Sequence, residues 1–363
     1  MPRISWAFSF IALPLAAILS GASLSPRYEL VDIGTLPWVS DDVAPHLSAS
    51  GEISWWQATP DRIVHASAWA QFPRDVGTLE GFASSIASGA NSNGQIVGWS
   101  VSGKNLVDSG ATTHAFLSTR TQLVDLGTLG GRDSKATGIN ESGQVVGFSS
   151  LPDQSRHAFL YQAGRLVDLG SLPGGAFSAA YAINNNGLVA GAAETPAHLV
   201  HAVIWRNNHI ADLGTLPGGS RSRALALNGQ GDIVGYSEAD QAETHAFLYR
   251  EGHMQDLGSL GFDPARANAI NDHRQIVGAS GVSQFARHAF IWENGAMQDL
   301  NKLISSGGPW RLEEAYDITD QGQILCLGTR SGANRDRHLI LLNPVAAPPS
   351  GHLQPTVTSA YLH

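Results

Sequence analysis

The sequence predicts an all-β chain, a seven-bladed β-propeller of four-stranded blades whose last blade is closed by the N-terminal strand. Three observations lead there. A segment of the form Asp-Leu-Gly-Thr/Ser-Leu recurs, varied at its first and last copies, with aspartates at Asp32, Asp75, Asp125, Asp168, Asp212, Asp256 and Asp299; the gaps run from 43 (Asp32 to Asp75) to 50 (Asp75 to Asp125). Each period holds four strand-length apolar runs between Gly and Asn turns, with no sustained helical period. The chain opens on a lone fourth strand and ends on three, so its ends complete one shared blade and remove two open edges. Four short strands per period of about 44 residues fit a propeller blade; a β-solenoid, with shorter coils, is the rival.

The elements follow in order. Residues 1–22 read as an export signal: Arg3 is the basic start, Ile4 to Leu19 is apolar and uncharged, and Ser20, Gly21 and Ala22 are the small residues a signal peptidase accepts. The apolar run is shorter than the roughly 18–20 residues of a spanning helix, which favours cleavage near Ala22 over an uncleaved anchor. Tyr28–Gly34 is the lone fourth strand. The first full blade is irregular and carries Trp38, Trp55 and Trp56, and the loop Ser100–Thr113 accounts for the 50-residue gap. In the repeat ending after Asp212 the expected strands are Ala179–Asn184, Leu188–Ala192, His201–Trp205 and His209–Leu213. Second strands carry Gln-Ile/Val-Val-Gly, as at Gln144–Gly147 and Gln275–Gly278. Third strands carry His-Ala-Phe at His114, His157, His201 (with Val203 for Phe), His245 and His288, with degenerate copies at His65 and His338. Two-residue turns such as Ala163-Gly164 and Asn294-Gly295 fix the last hairpin, placing Asp168 opposite Phe159 with His157 diagonal to it. The chain closes with Ala315–Thr319, Gln323–Leu327 and His338–Asn343. Residues 345–363, rich in Pro, Ala, Ser and Thr, are expected to be a disordered tail.

The His-Ala-Phe, Asp-Leu-Gly-Thr-Leu and Ile-Asn…Gly…Val-Val-Gly segments together resemble the bacterial extracellular repeats called the HAF family, across residues 28 to 344. The resemblance implies architecture and export. It brings no established activity and no catalytic residues.

Composition narrows the chemistry. A formal charge of −9 argues against non-specific nucleic-acid binding. The single cysteine, Cys326, can form neither an internal disulfide nor a thiolate metal cluster. No nucleophile elbow, phosphate loop or zinc-protease motif occurs. The repeated His114, His157, His201, His245 and His288, each 11 residues before Asp125, Asp168, Asp212, Asp256 and Asp299, are expected to be structural, the aspartates buried on backbone donors. Spread around a ring, these histidines offer no point where metal ligands converge, so no metal and no cofactor is expected.

Departures from the repeat are the candidate binding residues. Arg132, Arg221, Arg223 and Arg266 fall in the loops from strand four to strand one, which run inward to the channel mouth. The matching stretch Gly175–Ser178 is uncharged, so the fold does not require these arginines. Guanidinium groups there can grip a carboxylate, phosphate or sulfate, although Asp133 and Asp263 share those loops. The adjacent Trp55 and Trp56 offer a sugar-stacking or partner patch, with core packing as the competing reading. The expected function is therefore an exported, non-catalytic scaffold, extracellular or periplasmic and monomeric. Its ligand is expected outside the cytoplasm, an anion or a carbohydrate, with no nucleic acid and no membrane span after cleavage. The alternatives are a polysaccharide- or glycoside-directed lyase or hydrolase at the mouth, and a structural envelope component. Two or more carboxylates, or a histidine with a carboxylate, converging at the channel mouth would favour the enzyme, and a mouth lined by Ser, Gly and scattered Arg would favour binding.

Overall fold

The computed structural model describes residues 27–36, 44–58, 63–70, 73–103, 110–119, 121–207, 209–305, 308–330 and 336–345. The signal segment, Trp38 and the tail beyond Val345 lie outside the described residues. The described strands form seven antiparallel sheets of four strands each. In blades one to seven, strand one is His46–Leu47, Ser84–Ala90, Ser134–Ile139, Ser178–Ile183, Ser222–Leu227, Phe262–Ile270 and Trp310–Ile318. Strands two to four of blade four are Val189–Glu194, Val200–Arg206 and His209–Gly214, within two residues of the expected bounds. Blade seven is composite: Tyr28–Thr35 pairs antiparallel with Arg337–Pro344, Tyr28 opposite Pro344 and Thr35 opposite His338. Tyr28 is buried, and Arg27 clamps Glu293 of blade six through both carboxylate oxygens. That hydrogen bond holds the Glu293 carboxyl below its ordinary range.

Each repeat signature has a physical cause. The glycine of Gln-Val-Val-Gly is where strand one presses on strand two: a Cβ on Gly147 would lie 2.0 Å from the Lys135 carbonyl oxygen and 2.8 Å from the Phe159 ring. The ring over that glycine is the phenylalanine of His-Ala-Phe, and Phe116, Phe159, Phe247 and Phe290 are all fully buried. Phe159 lies opposite Asp168 as expected. His157 Nδ1 sits 2.9 Å from Asp168 Oδ2, and the same pair closes at 2.7 to 2.9 Å in all seven blades, including His65–Asp75 and His338–Asp32. The aspartate Oδ1 also accepts the N–H two residues on, from a glycine in six blades, as from Gly170 to Asp168 at 2.7 Å, and from Asn301 in blade six. One expectation is corrected here. Most of these aspartates are not buried, Asp168 being 41% exposed, because strand four is the outer edge of its blade.

Two more repeated ties run between blades. The serine opening strand one accepts the His-Ala-Phe alanine N–H of the preceding blade and donates to its Asp-Leu-Gly glycine carbonyl; for Ser178 these distances are 2.9 Å to Ala158 and 2.6 Å to Gly170. At the other end of strand one, a turn asparagine donates to the next blade's turn: Asn91 to the Asn140 carbonyl, Asn140 to Asn184, Asn184 to Asn228, Asn228 to Asn271 and Asn271 to Thr319.

Candidate functional site

Strand one of all seven blades lines a central cavity of 1790 Å³. Each strand runs from the face bearing the four-to-one and two-to-three loops (upper) to the face bearing the one-to-two turns (lower). Its side chains form layers, and register shows which positions are equivalent. Lys135, Arg223, Arg266 and Glu314 occupy one upper position, opposite Phe148, Tyr236, Ala279 and Leu327 on strand two. Blades two and four have Ile86 and Ala179 there. Below lie Thr137, Tyr181, Leu225, Asn268 and Tyr316. The next position down is small in five blades, Gly89, Gly138, Ala182, Ala226 and Ala269, but is His46 in blade one and Asp317 in blade seven.

The upper half is basic and aromatic. Lys135 Nζ stands 4.7 Å from the Trp99 ring centre, and the Arg156 guanidinium lies 4.9 Å from the Phe148 ring and 5.8 Å from that of Phe177. Arg223 donates to the Tyr181 hydroxyl at 2.9 Å. Arg266 meets the buried Glu314 carboxylate at 2.7 Å, and Arg287 reaches it from outside at 3.0 Å. The lower mouth is acidic, but Glu141, Asp272 and Asp320 each accept a turn N–H of the preceding blade, from Ser92, Gly229 and Asp272. These acids serve the ring.

The predicted arginines separate on this frame. Arg132 lines the upper mouth and donates to the Gly110 carbonyl. Arg223 and Arg266 also face the channel, but from strand one itself, because the strand starts upstream of them at Ser222 and Phe262. Arg221 is exposed and does not line the channel, because it lies in the loop before the strand that begins at Ser222. Trp55 and Trp56 form no surface patch. Each is 2% exposed, packed with Leu47, Ile86 and Trp99 where blade one meets blades two and seven, as shape filling in an irregular blade demands.

Lys135, Arg156, Tyr181, His46 and Asp317 were not singled out from the sequence. A signal existed, since Lys135, Arg223, Arg266 and Glu314 share one column of the repeat. His46 Nδ1 lies 2.6 Å from Asp317 Oδ2, and His46 Nε2 lies 3.2 Å from the Ala90 carbonyl oxygen of blade two. Asp317 Oδ2 also accepts the Leu47 N–H at 2.9 Å. Both ring nitrogens thus face acceptors, which suits an imidazolium. Burial pulls the His46 pKa down, but the Asp317 charge and hydrogen bonds from both sides leave it raised above its ordinary value.

No family model matches the chain, and no curated protein matches it. Solved structures do. The β-propeller domain of the Trilobed protease from Pyrococcus furiosus aligns with a TM-score of 0.55 at 9% identity, over 87% of this chain and 95% of that one. A gluconolactonase from Xanthomonas campestris (TM-score 0.40, 11% identity, 86% and 98% of the two chains) and the Aleuria aurantia lectin (0.33, 11%, 90% and 98%) align more loosely. At these identities the likeness is one of fold, and the protein is a seven-bladed β-propeller with a closed ring.

Proposed function

We propose that the protein is an exported, non-catalytic scaffold that binds an anionic carbohydrate in the upper half of its channel. The observation that carries this reading is the upper layer, where Lys135, Arg156, Arg223 and Arg266 interleave with Trp99, Phe148, Phe177 and Tyr236. An acidic sugar offers a carboxylate to a cation and an apolar ring face to an aromatic side chain. Export rests on residues 1–22 and accords with the resemblance to extracellular HAF repeats. A lyase or hydrolase would need two carboxylates, or a histidine with a carboxylate, placed to move a proton. The channel does pair a histidine with a carboxylate, but both His46 nitrogens are occupied by blade-to-blade contacts, which favours a structural role for it.

A binding screen of the mature protein tests the reading. Oligosaccharides of uronic acids are expected to bind in preference to neutral ones of equal length, with affinity falling as salt rises. Equal retention of neutral and acidic sugars would count against it, as would the release of shortened or unsaturated products.

A further inference from the structure

Seven histidines pair with seven aspartates, but one of them faces further carboxylates on its other side. His245 is the second residue of strand three of blade five, Thr244–Arg250, and its Nδ1 is 2.7 Å from Asp256 Oδ2. That contact directs Nε2 outward, to 3.5 Å from Glu243 Oε2 and 3.3 Å from Asp263 Oδ1 of blade six. Among the described residues this is the only group of three such side chains whose ligand atoms all lie within 4.8 Å of one another. Asp263 Oδ1 is a buried atom with no hydrogen-bond partner.

We propose that Glu243, His245 and Asp263 form a binding site for a divalent transition-metal ion of the zinc type, on the rim between blades five and six. The spacing suits such an ion. Bonds of about 2.0–2.2 Å set neighbouring ligand atoms of a tetrahedral site about 3.3–3.6 Å apart. The second shell is also right, because a metal-bound histidine commonly donates its other N–H to a carboxylate, the place Asp256 fills. The two acids are departures from the repeat. Where Glu243 stands, blades one to four and six have Ile63, Thr112, Ser155, Leu199 and Ala286, and only blade seven has another acid, Asp336; Asp263 lies in an irregularity of strand one, between Phe262 and Ala265, that the first strands of blades three to five lack. The repeat therefore explains His245 and Asp256 but not the pair facing them. Glu243 is 50% exposed and His245 19%, so an ion can enter from solvent and keep a water as its fourth ligand. The proposal departs from the sequence expectation of no metal site.

Equilibrium dialysis of the untagged mature protein against zinc chloride, with metal analysis, decides the matter. Wild type is expected to hold one zinc per chain, and the isosteric double variant Glu243→Gln/Asp263→Asn to bind at least tenfold more weakly. His201→Ala, which removes a histidine lacking this pair of facing acids, should bind as wild type does. Should the double variant fail to fold, Glu243→Gln alone at the exposed rim must still weaken binding. Absence of zinc above background in wild type, or undiminished binding in the Glu243→Gln variants, would overturn the site and leave the carboxylates as partners of a protonated His245.

Discussion

The joints between blades three, four and five differ from the two joints that flank blade one. In the first group a buried asparagine of each turn donates to the carbonyl of the next, and the channel position beside it is glycine or alanine. At blades seven and one the asparagine is replaced by Thr319 and Ser48, and the neighbouring small residue by Asp317 and His46. His46 then reaches both ways, to Asp317 in blade seven and to the Ala90 carbonyl in blade two. A neutral tie is repeated where the chain is regular. A charged tie takes its place beside the composite blade, where blade one, whose first strand is only two residues long, meets blade seven. Symmetry-breaking residues therefore need sorting: some repair the ring, and only the remainder are candidates for ligand contact.

Substitution should separate the two kinds of joint. Asn140 is 4% exposed. It accepts from the Ser142 and Gln144 N–H groups and donates to Gln144 Oε1 and the Asn184 carbonyl. Asn140→Ala should destabilise by about 2–3 kcal/mol, since several buried partners lose their bonds, and Ser48→Ala by only about 1 kcal/mol. Urea unfolding measures both, and equal losses would erase the contrast.

The charged joint should respond to pH. Because the folded-state pKa of His46 is raised, its contribution is complete below the unfolded value of about 6.5 and is lost as pH rises through the raised value. Thermal unfolding of wild type against His46→Asn should show the largest difference near pH 5.5, about one unit below that value, shrinking on the alkaline side. A difference that grows with pH would mean the ring works as a neutral donor.

The smallest effect belongs to the repeated pair. With Asp168 41% and His157 21% exposed, His157→Ala should cost about 0.5–1 kcal/mol, the range of solvent-screened pairs. A loss above about 3 kcal/mol would indicate a buried partner after all.

The fold was legible because the repeat samples the same physics seven times: Gly147 and its equivalents mark close strand contact, and the His157-to-Asp168 spacing encodes hairpin register. The channel was legible only in part. Arg132, Arg223 and Arg266 stood out by their charge, but Arg221 stands out equally and lies elsewhere, since it sits in the loop before strand one, where the alternation of a strand does not set side-chain direction. Trp55 and Trp56 left a surface patch and core packing both open, because nothing local tells a core tryptophan from an exposed one. His46 with Asp317, and Asp263 with His245, are contacts between blades, invisible until the ring closes.

Arg223 and Arg221, two residues apart, give the most direct test of channel binding. In calorimetric titrations with a uronic-acid oligosaccharide, Arg223→Ala should weaken binding by about tenfold or more, the range of a lost charge-assisted contact, whereas Arg221→Ala should bind as wild type does, both variants keeping the wild-type melting temperature within a few degrees. Undiminished binding by Arg223→Ala, or equal losses in the two variants, would contradict the assignment of the ligand to the channel.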